Sequence, residues 1–130
     1  MEALKWYLEA AEQGQAGAQC SLGVMYALGE GAPQDYAQAA FWYRKAAEKG
    51  VPGCQVSLGS LYEKGQGVPQ DYAEAYFWYD LAAVGDHDAS HSKQVAKYRD
   101  EAASHLTPAE LSRVQERARK WFEAHQAKPQ

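Results

Sequence analysis

Residues 31–47, GAPQDYAQAAFWYRKAA, and residues 67–83, GVPQDYAEAYFWYDLAA, are nearly one phrase written twice, 36 positions apart. Extended without a gap to residues 15–50 over 51–86, the two segments agree at 19 of 36 positions, among them Leu22/Leu58, Gly23/Gly59, Tyr26/Tyr62, Gly29/Gly65 and Trp42/Trp78. A period of this size marks a supersecondary unit that cannot bury its own apolar face, so each copy supplies the surface on which the next one packs. The same offset finds a half copy at the start, where Ala3, Trp6, Tyr7, Ala10, Ala11 and Gly14 precede Ala39, Trp42, Tyr43, Ala46, Ala47 and Gly50. The chain therefore opens in mid-repeat.

Each unit reads as two helices. Ala18, Leu22, Met25 and Tyr26 fall on one helical face, and Gly29 suits the left-handed position that ends such a helix. The loop GEGAPQ follows, then Asp35 as N-cap with Gln38 three residues on, a capping-box arrangement that Asp71 and Glu74 repeat. Gly23 and Gly59 sit in mid-helix at about 1 kcal/mol in propensity relative to Ala, a cost that close helix contact must offset. Ala46, Ala47, Ala82 and Ala83 are small where a neighbouring helix approaches, and Trp42, Tyr43, Trp78 and Tyr79 fill the space they leave.

Beyond residue 86 the signature fades but the frame persists. Advancing Asp71 by one period lands on Thr107, which with Pro108 and Glu110 forms a helix start, and Tyr26 and Tyr62 are followed on schedule by Tyr98. Helices are expected over 88–104 and 107–125, the second with a single apolar stripe of Leu111, Val114, Ala118 and Trp121 that suits a terminal cap with a polar outer face. The organisation expected is one repeat domain: 1–14 as the second helix of an incomplete repeat, 15–50 and 51–86 as repeats, 87–125 as a degenerate capping hairpin, and 126–130 as a tail.

Composition narrows the classes further. The 130 residues are 46% hydrophobic and 12% aromatic, enough for a packed core, and the net charge of −4 provides no basic stripe for nucleic acid. Arg113, Arg117, Arg119 and Lys120 gather near the end, but Glu110, Glu116 and Glu123 are mixed among them, as on a solvated helix face. No apolar run approaches a membrane span, and the opening MEALKWYLEAAEQG lacks the features of a signal peptide. The expectation is a soluble chain, cytoplasmic, or periplasmic or exported if a leader has been removed. Two cysteines make no disulfide framework, and Cys20 and Cys54, the frame counterparts of Val56 and Ala18, are expected to be small buried hydrophobes.

The pattern A-x-x-x-L-G-x-x-Y-x-x-G-x-G-x-P-Q-D-Y-x-x-A-x-x-W-Y-x-x-A-A, running from Ala18 to Ala47 and again, with Cys54 in first place, to Ala83, resembles the Sel-one-like repeat family, relatives of the tetratricopeptide repeats. The resemblance implies an all-α fold, an α-solenoid in which antiparallel helix pairs form a right-handed superhelix, with first helices lining a concave face. It also implies a protein-interaction adaptor, in a family with many bacterial and many exported or envelope-associated members.

The sharpest catalytic candidate is His87-Asp88-Ala89-Ser90-His91, close to the H-E-x-x-H zinc motif and the basis of an alternative reading as a metal-dependent hydrolase. Aspartate stands where glutamate should, and no third ligand follows at a diagnostic spacing, so a helix cap with solvated histidines is the plainer reading. Gly29-Glu30-Gly31 and Gly65-Gln66-Gly67 follow helices and are turns rather than a phosphate loop. No catalytic residue, metal ligand or cofactor is assigned.

A binding site then belongs among exposed positions that change between copies. On the first helix of each unit the face opposite the Leu and Tyr stripe carries Cys20, Val24 and Ala27, then Val56, Ser60 and Glu63. If neighbouring first helices cover Cys20 and Val56, then Val24, Ala27, Ser60 and Glu63 remain as the expected groove for a protein or peptide partner. The opening helix, with Leu4 and Leu8 unpartnered, is a second candidate surface, for a homodimer through residues 1–14 or for packing in a longer natural chain.

Overall fold

A computed structural model describes residues 2–85 and 88–126. Among these the chain forms helices alone: α1 (Glu2–Glu12), α2 (Ala16–Leu28), α3 (Tyr36–Ala47), α4 (Pro52–Lys64), α5 (Tyr72–Gly85), α6 (Ala89–Ala103) and α7 (Pro108–Gln126). Neighbours in sequence pack on one another from α1 to α6, each second helix lying between the first helix of its own repeat and that of the next, which is the arrangement of an α-solenoid.

The repeated residues build this stack. Gly29 and Gly65 end α2 and α4 at φ of 70° and 69°, the left-handed conformation that favours glycine. Leu22, Leu58, Ala39, Ala75, Ala46 and Ala82 are all fully buried. A Cβ added at Gly23 would lie 2.3 Å from the Tyr43 ring, and one at Gly59 would lie 2.8 Å from the Tyr79 ring, so each glycine admits the aromatic ring of its partner helix. In α6 the frame counterpart is Val95, fully buried, and the counterpart of Tyr79 is Gln115, so no ring competes for that space.

A second repeated device joins one unit to the next. Gln19 donates to the Ala11 carbonyl at 3.0 Å and Gln55 to the Ala47 carbonyl at 3.1 Å, both side chains nearly fully buried. Each adds a second donor to a carbonyl at the end of the preceding helix, Ala11 already accepting from the Gly14 N–H at 2.9 Å and Ala47 from the Gly50 N–H at 3.0 Å. At the third junction the counterpart of Gln55 is His91, and the adjacent Ser92 hydroxyl donates to the Ala83 carbonyl instead.

Helix starts follow the expected positions but differ in detail. Asp35 accepts from the Gln38 N–H at 3.2 Å and Asp71 from the Glu74 N–H at 3.1 Å, yet neither box is reciprocal. The Asp35 and Asp71 N–H groups already donate to the Tyr26 and Tyr62 carbonyls at 2.9 Å, so the position-three side chain has nothing left to accept. Thr107 and Glu110 do form the complete box, with the Thr107 N–H donating to the Glu110 carboxylate at 2.8 Å and the Glu110 N–H to the Thr107 hydroxyl at 3.1 Å.

The last helix pair departs from the first two. α7 packs chiefly on α5, not on α6. Val114 and Ala118 are buried there, and Leu111, Trp121 and Phe122 are half-buried against the same core. Arg117 pairs with Glu74 and lies 3.8 Å from the Phe77 ring centre. Phe77 is thereby buried, while its counterpart Phe41, which α7 does not cover, is 52% exposed.

Two sequence expectations are corrected. Cys20 on α2 and Cys54 on α4 form a disulfide, their Cα atoms 5.9 Å apart. Stacking of consecutive first helices brings together positions 34 apart, two short of the period, and no inspection of each cysteine's own surroundings reveals that. In α1, Leu4 and Leu8 are half-buried against Ala11, Ala18, Leu22 and Trp42, because α2 covers that face. The large exposed apolar side chains of α1 are Trp6, 72% accessible, and Tyr7.

Candidate functional site

The first-helix side of the stack carries a cavity of about 570 Å³ to which three successive first helices contribute. Ala27 and Leu28 of α2 form one wall, Val56, Ser57, Ser60, Leu61, Glu63 and Lys64 of α4 the middle, and Tyr98 and Glu101 of α6 the other wall. Tyr36, Tyr43 and Tyr79 reach into it from the second helices.

Local sequence explains the floor. Tyr43 and Tyr79 are the rings admitted by Gly23 and Gly59, so both are largely buried and line the cavity with the small part that stays accessible. The Tyr79 hydroxyl donates to Glu63 Oε1 at 2.8 Å. Burial pushes both phenols above their ordinary range, and the neighbouring Glu63 carboxylate adds to the shift at Tyr79, so both stay neutral donors at any physiological pH.

One charge reversal between copies shapes the far wall. Arg44 of α3 donates to the Tyr62 hydroxyl, holding that ring against the preceding helix. The counterpart of Arg44 is Asp80, which pairs with Arg99 at 3.3 Å. Tyr98, the counterpart of Tyr62, has no arginine to hold it and stands 39% exposed at the cavity, its ring centre 5.7 Å from that of Tyr79.

Of the four positions expected to bind a partner, Ala27, Ser60 and Glu63 line this cavity, whereas Val24 is exposed outside its lining. Val56 is half-buried and belongs to the wall, and Cys20 is half-buried in its disulfide. Sequence reasoning misses Tyr43 and Tyr79 because they stand at repeated positions that read as core. The departure of Asp80 from Arg44 is the sequence signal that singles out Tyr98.

The histidine pair of the hydrolase alternative is only half visible, since His87 lies outside the described residues. Asp88 caps α6, accepting from the Ser90 and His91 N–H groups at 3.0 and 3.2 Å. Among the described residues no group of three or more His, Cys, Asp or Glu side chains is placed to hold a metal ion. No described helix is long and apolar enough to cross a membrane.

Stacked helix pairs with an open, tyrosine-lined groove define the class as a helical-repeat protein. The chain belongs to the Sel1 repeat family, whose model matches residues 1–15, 16–51, 52–86 and 104–124. Members of this family generally serve as protein–protein interaction scaffolds. Among solved structures, the chain is similar to c5321, a protective antigen of uropathogenic Escherichia coli strains with an SLR fold, at 32% identity and a TM-score of 0.83 over 98% of this chain. It is also similar to a Sel1 repeat protein from Oxalobacter formigenes, at 40% identity and a TM-score of 0.62 over 64% of this chain. The chain spans 28% of the length of the first and 63% of the second. A comparison with curated proteins finds none that matches.

Proposed function

We propose that this chain is a non-enzymatic scaffold that binds a protein partner by seating an extended or helical peptide segment in the groove across α2, α4 and α6. The observation that carries this reading is the groove's composition. Most of its wall positions vary from repeat to repeat, such as Ala27 against Glu63 and Leu28 against Lys64, while Ser57 and the tyrosines of the lining recur and most other identical positions are spent on the core beneath. A scaffold that keeps its fold constant and changes its surface has separated stability from recognition.

The test is a display selection of random decapeptides against the intact chain, with selected peptides then titrated against two neutral groove-filling variants, Ser60→Trp and Ala27→Trp. Expected are peptides that lose binding by about tenfold or more to a variant that keeps its helical signal and melting temperature. Two variants from different helices guard against one misfolding. Peptides that bind the folded variants as well as the natural chain would place recognition elsewhere. Under the same reading the purified chain carries no stoichiometric zinc, which elemental analysis checks.

A further inference from the structure

The groove's charge and its rings go together. Glu63 on α4 and Glu101 on α6 face it with two carboxylates, against the single ammonium of Lys64. Lys64 follows Glu63 by one residue, about 100° further round the helix, and its side chain is exposed. Its ammonium therefore has solvent to point into. Four tyrosines, Tyr36, Tyr43, Tyr79 and Tyr98, complete the lining.

Elsewhere the chain already places cations on aromatic faces: Arg44 lies 5.6 Å from the Tyr62 ring centre and 5.9 Å from that of Trp78, Lys45 lies 5.1 Å from Phe41, and Arg117 lies 3.8 Å from Phe77. Among the described residues no such cation lies over the groove tyrosines. At the third junction the cation that would have held Tyr98 is replaced by Asp80, and Arg99 is drawn to that aspartate. The exposed part of the Tyr98 ring and two carboxylates are left to a visitor.

We propose that the cavity receives a cationic side chain, the guanidinium of an arginine or the ammonium of a lysine on the partner peptide, between the tyrosine rings, with Glu63 and Glu101 as counter-charges. This deepens the groove reading and rests on it. The aromatic faces attract the cation through their quadrupoles, and the partly enclosed site strengthens that attraction relative to water. The Tyr79 hydroxyl holds the Glu63 carboxylate at the cavity wall, so one counter-charge is pre-positioned. The 570 Å³ volume admits the whole side chain, its aliphatic stem lying along Val56 and Leu61.

The probes are fluorescein-labelled peptides from the display selection, each made also with its arginine or lysine replaced by norleucine, titrated by fluorescence anisotropy against the natural chain and a Glu63→Gln/Glu101→Gln variant. Glutamine keeps an acceptor for the Tyr79 hydroxyl, and circular dichroism verifies the fold. Expected are selected peptides rich in arginine or lysine, a weakening of about tenfold on norleucine replacement with the natural chain, and a much smaller change with the double variant. Binding to the natural chain also weakens as salt rises from about 0.05 to 0.5 M. Groove-dependent peptides without a cation, or a norleucine replacement with no effect, overturn the cation proposal and leave the groove reading standing. Peptides indifferent to the tryptophan blocks, or no enrichment at all, overturn both.

Discussion

Gly59 shows how much of this fold depends on a missing atom. A methyl group there would meet the Tyr79 ring at 2.8 Å and the Ala75 carbonyl oxygen at 3.3 Å, and the buried ring has no room to retreat. Alanine is worth about 1 kcal/mol over glycine in helix propensity, but overpacking of a core costs about 1–3 kcal/mol. Gly59→Ala is therefore expected to destabilise the chain by about 1 kcal/mol net, read as a lower midpoint in urea, whereas the propensity scale alone forecasts a gain. Gln55 makes the complementary point, since its buried amide finds a partner in the Ala47 carbonyl, which accepts from it as well as from the Gly50 N–H. Periodicity exposed both positions as repeated. Their reasons lie in atoms 8 or more residues away, in the previous or following helix.

Among the elements, α7 is the most telling. Its start is fixed by the one reciprocal capping box, in which the Thr107 backbone N–H and hydroxyl hold the Glu110 carboxyl below the usual carboxylate range. A carboxyl whose pKa is lower folded than unfolded stabilises fully above its unfolded value, and that stabilisation is lost as pH falls through the lower folded value. Melting temperatures recorded between pH 7 and pH 3 should converge for the natural chain and Glu110→Gln as the pH drops, with the natural chain ahead near neutrality. Thr107→Ala should cost about 1 kcal/mol. The helix and its apolar stripe were legible because capping and 3.6-residue periodicity are local. That the helix lands on α5 was not, because Phe77, which lies under Arg117, is identical to Phe41 in the preceding copy, and Glu74, which pairs with Arg117, has the shape of its counterpart Gln38.

At the scale of the whole molecule the core divides into a small cluster around Leu22 and Trp42 and a larger one whose buried residues run from α3 to α7, and the Cys20–Cys54 bond ties α2 to α4 within the larger one. α2 and α4 are otherwise joined mainly through α3. Closing a separation of 34 residues removes denatured-state entropy worth about 4 kcal/mol on the loop model. Unfolding in guanidinium with and without reductant should show the oxidised chain more stable by about 2–4 kcal/mol, and Cys20→Ser/Cys54→Ser should abolish the difference. A reductant effect that persists in the double variant would mean that the bond is not its source.

The sequence by itself determined the helical-repeat class and the positions of the helix ends, and pointed to three residues that line the cavity, Ala27, Ser60 and Glu63, because caps, glycine turns and repeat differences are written in neighbouring residues or at the fixed period. Tertiary structure alone decided the Cys20–Cys54 bond, the seat of α7 on α5, and the release of Tyr98 into the groove by the Asp80–Arg99 pair. Each of those depends on the distance between residues of different helices, which is set only when the hairpins stack.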